Sequence, residues 1–476
     1  MKLSDHKTKI VCTIGPSSNS VSKLQDLIKS GMNVARLNFS HGDLFQQKEN
    51  IRAIRRAAAQ AGRRVSILID LPGVKMRLGK LKTEPLVLKK GEKVVLTTEQ
   101  VLESVTHIPI DYKQLAKSVS RGSVIYLSDG FIQLAVESIA HHDVVCRVMM
   151  GGTLLSHKGL NLPGAKIFTD AVTDTDLRMM DFGLQQGVTI FGLSFIEKAD
   201  DIMKARAFAK KKGKAVHLIA KIERLEAIKN FEEILKAADA VMIARGDLGV
   251  EIPVEEVPVI QKRLIRQANI MGKPVITATQ MLESMTHNIR PTRAEVNDVA
   301  NAIIDGTDSV MLSEETAIGE YPVETVKMMA KTAAFTEAHC RVGVWNNKDE
   351  QMVGESSLPI ADVISLNAVR AAEELNARYV LTPTTSGNTA RRISRFKPRC
   401  WTLAFSRHEE ICEFLNFSYG VHPFLIKKKS AASPENMFKS IKNLDLVKKG
   451  GKVIITERRL SDRPGETDSL GIVTIE

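Results

Sequence analysis

The sequence has little cysteine, few aromatic residues and no long apolar run. Its five cysteines are widely spaced and form no CxxC or Cys/His pattern. This argues against a disulfide framework or a structural zinc site and favours a reducing compartment such as the cytoplasm. Nowhere do 18 apolar residues run together, so we expect no transmembrane helix. The charged start of the chain leads into no apolar stretch typical of a secretory signal. Aromatic and basic residues do not interleave, so we expect no nucleic-acid partner. The lack of a long apolar run leads us to expect no membrane partner either.

Several nucleotide-binding motifs are also missing. No GxxxxGK[ST] pattern occurs, which excludes a P-loop. No GxGxxG follows a strand-like run, so we expect no dinucleotide site. The run Asp181-Phe182-Gly183 resembles the metal motif of protein kinases, but no Gly-rich loop or catalytic-loop signature accompanies it. We therefore interpret Phe182 as a core residue.

What is present is the composition of an ordinary globular protein, with 43% hydrophobic and 26% charged residues. At roughly 100–200 residues per domain, a chain of this length should hold about three domains. Lys and Arg number 67 against 55 for Asp and Glu, giving a net charge of +12. This excess weakly favours anionic partners. A solvated basic surface also accounts for it, because the positive charge is spread along the chain.

Strand-like and helix-like segments alternate on both sides of a β-rich stretch. Three apolar runs precede that stretch and five follow it: Lys9–Ile14, Asn33–Leu37, Val65–Ile69, Val188–Leu193, Val216–Ala220, Ala240–Ile243, Pro274–Thr277 and Ser309–Leu312. Eight strand–helix units in about 250 residues is the count for a closed (β/α)8 barrel. An open doubly wound sheet could hold the same elements, so the count leaves that alternative open.

The expected fold class is therefore α/β, with a (β/α)8 TIM barrel, an inserted β-barrel-like domain and a C-terminal α/β domain. The barrel is assigned residues 1–70 and 165–340. The insert, residues 71–164, shows short β runs separated by turns and no long amphipathic helix. Residues 341–476 again alternate helix-like and strand-like segments, as a smaller α/β domain would.

Polar and charged side chains follow nearly every expected barrel strand. Active-site residues of such barrels lie at the C-terminal ends of the strands, so these side chains would share one rim. Each residue alone is more often a solvated loop residue or a local ion pair. The rim candidates are Arg36, Asn38, Ser40, His41, Asp70, Lys221, Glu223, Arg245, Gly246, Asp247, Thr279, Ser313, Glu314 and Glu315.

Two of these carboxylates, Glu223 and Asp247, follow adjacent strands and could share one divalent cation. Magnesium takes one or two protein carboxylates and completes its shell with water and substrate oxygens. Lys221 beside Glu223 suits a phosphate or enolate oxyanion, and Arg36 could bind phosphate in a bidentate manner. A simple Lys221–Glu223 salt bridge, or an acidic first helical turn at Glu223, is the alternative.

The chain resembles the pyruvate kinase family over nearly its whole length. The most specific stretches are Met242–Pro253 (MIARGDLGVEIP) and the run from Ile276–Met285 (ITATQMLESM) through Arg290–Ala300 (RPTRAEVNDVA). Shorter ones lie at Lys9–Ser17, Asn33–Gly42, Lys158–Gly164 and Ala220–Glu223. The resemblance implies a TIM barrel with a lid domain inserted after the third strand. It also implies a phosphotransferase that moves the phosphoryl group of phosphoenolpyruvate to ADP, giving pyruvate and ATP at the end of glycolysis, with Mg²⁺ or Mn²⁺.

By position, the resemblance also implies roles for single residues. Lys221 would stabilise the transferring phosphoryl group, and Glu223 and Asp247 would hold the metal. Contacts to phosphoenolpyruvate are implied at Arg36, Gly246, Asp247 and Thr279, with Thr279 near the site of enolate protonation. Contacts to the nucleotide are implied at Asn38, His41, Arg77 and Lys158.

An inactive metabolite-binding barrel and a dikinase-type enzyme are the alternatives. The intact catalytic residues argue against the first, and the lack of a phosphorylatable-histidine signature argues against the second.

The resemblance points to the branch of the family that needs no potassium. Many members bind potassium through positions matching Asn38, Ser40, Asp70 and the carbonyl of Leu71, and a nearby glutamate accompanies that requirement. Here Lys75 stands at the position of that glutamate. We expect its ammonium to stand where the ion would sit and to neutralise Asp70, so that K⁺ is not required.

The C-terminal region carries a candidate effector loop. Hydroxyls and backbone N–H groups before a helix can bind an anion, and the loop comprises Thr384, Thr385, Ser386, Gly387, Asn388 and Thr389. Basic residues follow at Arg391, Arg392, Arg395, Lys397 and Arg399. The family often binds a phosphorylated effector at the matching loop, so we expect a sugar-phosphate or nucleotide effector. An ordinary capped helix with a solvated basic face is the alternative. The resemblance further implies a homotetramer.

Overall fold

The architecture comes from a computed structural model, which describes residues 3–99, 107–128, 130–343, 359–427, 433–457 and 467–475. The strands, numbered in chain order, are β1 (Lys9–Thr13), β2 (Met32–Asn38), β3 (Ser66–Asp70), β4 (Leu86–Leu88), β5 (Lys93–Thr97), β6 (His107–Pro109), β7 (Val124–Leu127), β8 (Ile132–Ala140), β9 (Asp143–Met150), β10 (Gly152–Leu154), β11 (Leu160–Asn161), β12 (Ile190–Leu193), β13 (His217–Ile222), β14 (Ala240–Ala244), β15 (Val275–Ala278), β16 (Ser309–Leu312), β17 (Tyr379–Pro383), β18 (Trp401–Ser406), β19 (Val421–Leu425), β20 (Lys452–Glu457) and β21 (Ser469–Thr474).

The helices, numbered in the same way, are α1 (Val21–Ser30), α2 (Leu44–Ala61), α3 (Leu115–Ser118), α4 (Asp174–Gln185), α5 (Ala199–Lys211), α6 (Leu225–Lys229), α7 (Phe231–Ala237), α8 (Arg245–Glu251), α9 (Val257–Ile270), α10 (Arg293–Ile304), α11 (Glu314–Ala317), α12 (Pro322–His339), α13 (Ile360–Glu374), α14 (Asn388–Ser394), α15 (Glu409–Leu415) and α16 (Pro434–Asn443). Short 3₁₀ turns occur at Val254–Glu256 and Glu283–Thr286.

Eight parallel strands close into one barrel in the order β1-β16-β15-β14-β13-β12-β3-β2. The closing pair runs from Lys9 opposite Ser309 to Cys12 opposite Leu312. The expected TIM barrel is therefore confirmed, and the open sheet is wrong. Barrel strands are covered on both faces, which explains why they are short continuous apolar runs rather than alternating ones.

Two of the barrel helices begin at residues whose side chains form hydrogen bonds with the first backbone N–H groups of the helix. In α4 the Thr173 hydroxyl accepts from the N–H of Asp176, and the Asp176 carboxylate reaches back to Thr173. Thr292 and Glu295 form the same capping box at the start of α10. Each box satisfies two backbone donors that a helix start leaves without partners. These helices cover the barrel and fix the loops that join them to the strand ends.

The stretch between β3 and α4 forms its own small sheets. Strands β11-β7-β8-β9-β5-β6 make a six-stranded sheet, and β10 pairs with β4. Along β8, buried and half-buried residues alternate, so one face packs inward. These strands enclose a separate apolar cluster that includes Leu96, Ile125 and Leu134. Three short strands, β6, β10 and β11, cannot be predicted from the sequence, because two or three residues carry no periodicity.

The C-terminal region forms a five-stranded sheet in the order β19-β18-β17-β20-β21, in which only β21 runs antiparallel. A buried ion pair and a buried hydrogen bond join this region to the bottom of the barrel. Lys397 Nζ lies 2.8 Å from Asp308 Oδ1, directly before β16. Lys9 Nζ donates to the Val421 carbonyl at 2.6 Å. Among the described residues, no helix is long and apolar enough to cross a membrane.

Candidate active site

Parallel pairing brings the C-terminal strand ends to one rim. Asn38 lies opposite Asp70 across β2 and β3, and Ala244 lies opposite Ala278 across β14 and β15. Lys221 is the second-last residue of β13 and lies opposite Met242 of β14. The polar residues that follow these positions therefore face one mouth, as the barrel pattern predicts.

Asp70 is the buried anion at the centre of this rim. Its Oδ2 accepts from Arg36 Nε at 2.8 Å, and its Oδ1 lies 3.4 Å from Lys221 Nζ. Burial alone would raise the pKa of Asp70, but the two cations outweigh burial and hold that pKa below its usual value. Arg36 is further oriented by Thr13, whose Oγ1 accepts from Nη1 at 2.8 Å. Asp70 thus holds Arg36 and Lys221 in place at the rim.

Lys221 and Glu223 form the second half of the cluster. Lys221 Nζ lies 2.8 Å from Glu223 Oε1 and donates to Ser194 Oγ at 2.7 Å. Burial lowers the pKa of Lys221, but Asp70 and Glu223 reverse this and raise it overall, so the side chain stays charged. Burial raises the pKa of Glu223, although Lys221 and the N–H of Phe195 oppose that change. Sequence reasoning missed Ser194, although it directly follows β12.

The loops after β14 and β15 form the third part of the rim. The N–H of Gly246 donates to Thr279 Oγ1 at 2.8 Å, and Thr279 adopts a left-handed backbone with φ of 70°. Such a conformation is strained for a β-branched residue and marks a constrained site. Arg245 holds this geometry, because it donates to the Thr279 carbonyl at 2.6 Å and to Asp298 at 2.7 Å.

The carboxylates of the rim suit a divalent cation. Glu223 Oε1 and Asp70 Oδ1 are buried and have no well-aligned hydrogen bond, although both face the Lys221 ammonium. Asp247 lies beside them in the first turn of α8, with its side chain 25% exposed. Within the described ranges, no group of three His, Cys, Asp or Glu side chains could enclose a metal. Two carboxylates with open positions are what Mg²⁺ uses when substrate oxygens complete its shell.

The ion-pair partner of Lys75 differs from the one that the sequence predicts. Its Nζ lies 3.4 Å from Asp247 Oδ1, whereas Asp70 is in contact with Arg36 and Lys221. The expected Lys75–Asp70 pairing is therefore wrong, because two closer cations already balance Asp70. The other positions of the expected monovalent-cation site are engaged locally. The Leu71 carbonyl accepts from Ser194 Oγ at 2.7 Å, and Asn38 Oδ1 accepts from the Ser40 N–H at 3.1 Å.

The expected nucleotide contacts lie on two parts of the molecule. Asn38 and His41 lie on the loop after β2, where Gln47 Nε2 donates to the His41 carbonyl at 2.8 Å. Arg77 pairs with Gly159 across an isolated bridge, and the Leu78 N–H donates to the Lys158 carbonyl at 2.9 Å. Arg77 and Lys158 are therefore neighbours on the inserted sheets.

The C-terminal loop is less open than expected. Thr384 Oγ1 accepts from the Gly387 N–H at 2.8 Å, and Thr389 bonds to Thr467 in a buried hydroxyl pair at 2.6 Å. The basic residues that follow do not all belong to a solvated face. Lys397 is buried against Asp308, and Arg391 lies 5.4 Å from the ring centre of Phe414. The expected solvated basic face is therefore wrong for Lys397 and Arg391, whereas Arg399 is exposed.

The closed parallel barrel, with cations and carboxylates gathered at its strand ends, defines a TIM-barrel enzyme whose mouth suits an anionic substrate. Two family models match the chain: "Pyruvate kinase, barrel domain" over residues 5–326 and "Pyruvate kinase, alpha/beta domain" over residues 362–473. The chain belongs to the pyruvate kinase family and is a phosphotransferase.

Named relatives agree with this assignment. A pyruvate kinase of Thermococcus litoralis is 47% identical over 100% of both chains. One of Geobacillus stearothermophilus is 45% identical over 87% of this chain and 71% of its own length. The crystal structure of a pyruvate kinase from Cryptosporidium parvum superposes with a TM-score of 0.91 at 35% identity, covering 99% of this chain and 97% of that one.

Proposed function

We propose that this chain transfers the phosphoryl group of phosphoenolpyruvate to ADP, giving pyruvate and ATP. The observation that carries the proposal is the buried cluster in which Lys221 lies between Asp70 and Glu223, 3.4 Å and 2.8 Å from their carboxylates. The two acids keep the ammonium charged and fixed in a water-poor site. A fixed cation of this kind stabilises charge that develops on a transferring phosphoryl group.

Charge repulsion is the main barrier that such a site must offset, because both substrates are anions. Lys221 and Arg36 would bind the phosphoryl oxygens and align them with the attacking oxygen of ADP. Glu223 and Asp247 would hold Mg²⁺ or Mn²⁺, which supplies further positive charge to the phosphoryl oxygens when bound. Arg36 is already oriented by Thr13 and Asp70, so it need not reorganise when substrate arrives.

Transfer leaves an enolate, which must accept a proton to become pyruvate. Thr279 directly follows the C-terminal end of β15, and its hydroxyl accepts from the N–H of Gly246 at the start of α8. Thr279 Oγ1 would hold a proton near the enolate carbon, with Arg245 maintaining its backbone position. In the free protein the Thr279 hydroxyl donates to the carbonyl of Ala278 at 2.6 Å. This hydrogen bond fixes the orientation of the hydroxyl proton before substrate binds.

The inserted segment, residues 71–164, would act as a lid. Arg77 and Lys158 on the insert and Asn38 and His41 on the barrel would then approach the nucleotide from two sides. Closure would exclude water and limit hydrolysis of the phosphoryl donor. Residues 1–70 with 165–340 would form the barrel domain, and residues 341–476 the C-terminal domain.

Activity without potassium stays part of the proposal, but with a different partner for Lys75. Its ammonium supplies one tethered positive charge to the metal-binding carboxylate Asp247 rather than to Asp70. A homotetramer, a cytoplasmic location and an effector at Thr384–Thr389 stay predictions that the resemblance implies.

A coupled assay with lactate dehydrogenase tests the proposed reaction. Purified protein should produce pyruvate from phosphoenolpyruvate only when ADP and a divalent cation are both present. Pyruvate formation that requires AMP and pyrophosphate instead would indicate a dikinase-type enzyme. No turnover with any acceptor, from folded protein, would indicate a metabolite-binding barrel without catalysis.

A further inference from the structure

Ser194 directly follows β12 and connects the catalytic cluster to the start of the insert. Its buried hydroxyl accepts from Lys221 Nζ at 2.7 Å and donates to the Leu71 carbonyl at 2.7 Å. A hydroxyl has one proton to donate, so these two bonds fix its orientation. Leu71, the first residue of the insert, is itself held by the barrel, because its N–H donates to the Gly192 carbonyl at 2.9 Å. One hydroxyl therefore joins the proposed phosphoryl-binding cation to the backbone where the insert begins.

The Ser194 hydroxyl also gives the Lys221 ammonium its direction. Asp70 and Glu223 attract this ammonium, but the nearer oxygen of each has no well-aligned hydrogen bond. Among the residues that the structure describes, the aligned hydrogen bond of Lys221 Nζ is the one to Ser194. Coulomb attraction changes slowly with position, whereas a hydrogen bond weakens steeply with its angle. The two carboxylates thus hold the charge in the cluster, and Ser194 determines where it points.

Phe195 extends the same connection to the proposed metal ligand Glu223. Its N–H donates to Glu223 Oε2 at 2.7 Å, and its backbone is left-handed, with φ of 56°. Such a conformation is uncommon for a bulky residue and persists only where the surroundings impose it. The turn formed by Ser194 and Phe195 therefore contacts both the cation and a carboxylate of the cluster.

Gly73, the third residue of the insert, packs directly on this turn. Its φ is 61°, and a Cβ at this position would lie 3.0 Å from Ser194 Cβ and 3.1 Å from Phe195 Cδ2. Its N–H donates to Asp176 Oδ1 at 3.0 Å, which ties it to the first turn of α4. Glycine suits this position because the backbone approaches the turn too closely for a side chain. A change in the backbone of Gly73 would therefore press on Ser194.

We propose that Ser194 is a positioning residue, which places the Lys221 ammonium and makes that placement depend on the hinge at Leu71–Gly73. The inference rests on the proposed phosphoryl transfer, because Lys221 serves that step. Without the hydroxyl, the ammonium loses its aligned partner and the buried Leu71 carbonyl loses its donor. A misplacement of about 1 Å can cost roughly 10²-fold in rate, so a small shift is enough to impair transfer. Protonation of the enolate is assigned to Thr279 and should not need Ser194.

Ser194→Ala tests the proposal through the two partial reactions. The kcat of phosphoryl transfer to ADP should fall by about tenfold or more. The KM for phosphoenolpyruvate should change by less than about threefold, because the placement of the ammonium matters most in the transition state. Exchange of the methyl protons of pyruvate should persist. Adding Lys221→Met should give the transfer rate of Lys221→Met alone, because the hydroxyl acts through the ammonium.

Ser66→Ala is the matched control for loss of a buried hydroxyl. The Ser66 hydroxyl also donates to a carbonyl, that of Glu413 at 2.7 Å, but Ser66 begins β3 at the opposite end of the barrel. Its kcat should equal that of wild type. Thermal unfolding shows whether each variant is folded.

Alanine at two glycines of the insert tests the dependence on the hinge. Gly73 and Gly164 have similar left-handed backbones, with φ of 61° and 66°, but among the described residues a Cβ at Gly164 would meet just Leu225 Cδ2, at 4.0 Å. Both substitutions strain the backbone, and the first also presses on Ser194. Gly73→Ala should therefore lower transfer by about tenfold or more with exchange retained, and Gly164→Ala by less than about threefold. In the Ser194→Ala background, Gly73→Ala should add less than about threefold.

The proposal is overturned if folded Ser194→Ala transfers phosphoryl groups like wild type, if it loses transfer and exchange together, or if its loss multiplies with that of Lys221→Met. Equal effects of Gly73→Ala and Gly164→Ala would overturn the dependence on the hinge. Should Ser194→Ala fail to fold, the two glycine variants decide the question by the same criterion. Wild-type protein that forms no pyruvate from phosphoenolpyruvate and ADP would instead refute the proposed function, so the two failures are distinguishable.

Discussion

Replacing Lys75 by methionine should tighten the binding of Mn²⁺ to the free protein. Lys75 Nζ lies 3.4 Å from Asp247 Oδ1, and Asp247 is one of the two proposed metal ligands. An entering cation must displace this ammonium or share the carboxylate with it. The lysine is thus an internal competitor for the metal until substrate anions arrive.

The size of the effect follows from the position of the pair. Unit charges about 4 Å apart interact by roughly 4 kcal/mol at an effective dielectric constant of 20, whereas exposed pairs are worth about 0–1 kcal/mol. The two side chains are 32% and 25% exposed, which places them between these limits. We therefore expect a gain of about 1–2 kcal/mol, or roughly five- to thirtyfold in Mn²⁺ affinity.

Electron paramagnetic resonance of free Mn²⁺, titrated in the absence of substrates, measures this affinity directly. Lys75→Arg should bind Mn²⁺ like wild type, because it keeps the charge. Lys23→Met on α1 controls for loss of a lysine far from the site. Unchanged or weaker Mn²⁺ binding by Lys75→Met would refute the reasoning, since removal of a competing cation cannot then be the dominant effect.

Three further outcomes are expected. Glu223→Gln should lower turnover by about 10² or more, because it removes a charged metal ligand, and normal turnover with Mg²⁺ would contradict the assignment. Lys75→Glu should create a large response to K⁺ in tetramethylammonium buffer, where wild type should change less than tenfold. Lys9→Met should flatten the pH dependence of stability. Burial lowers the pKa of Lys9 from 10.5 to about 7, so between these values the unfolded state binds more protons. The free energy of unfolding of wild type should therefore rise relative to the variant by up to about 1.4 kcal/mol per pH unit, as urea unfolding at pH 7 and pH 9 would show.

Much of the barrel could be predicted because each strand is marked by an apolar run within a few consecutive residues. The strand Ser309–Leu312 has the bounds that its apolar pattern predicts. Closure of the sheet could not be read locally, since it depends on β1 meeting β16 across almost 300 residues of chain. The two-residue strand Leu160–Asn161 is defined by its pairing with β7 and has no pattern of its own.

The candidate site could be predicted as a set of residues but not as a set of pairs. The position of each residue at or just after the C-terminal end of an expected strand placed Arg36, Lys221 and Asp247 on one rim. Which cation faces which carboxylate depends on side-chain reach, so the expected partner of Lys75 was wrong. The same limit applies to Arg391, which follows the effector loop in sequence but lines a cavity against the barrel.

The most direct test of the catalytic account is Lys221→Met, assayed for two partial reactions. Loss of the fixed ammonium should lower phosphoryl transfer to ADP by at least about 10². Exchange of the methyl protons of pyruvate with deuterated solvent, followed by NMR, should persist, because enolate protonation is assigned to the Thr279 side of the site. Retained exchange also shows that the variant is folded. Phosphoryl transfer at the wild-type rate, or loss of exchange together with transfer in a folded variant, would contradict the division of roles proposed for Lys221 and Thr279.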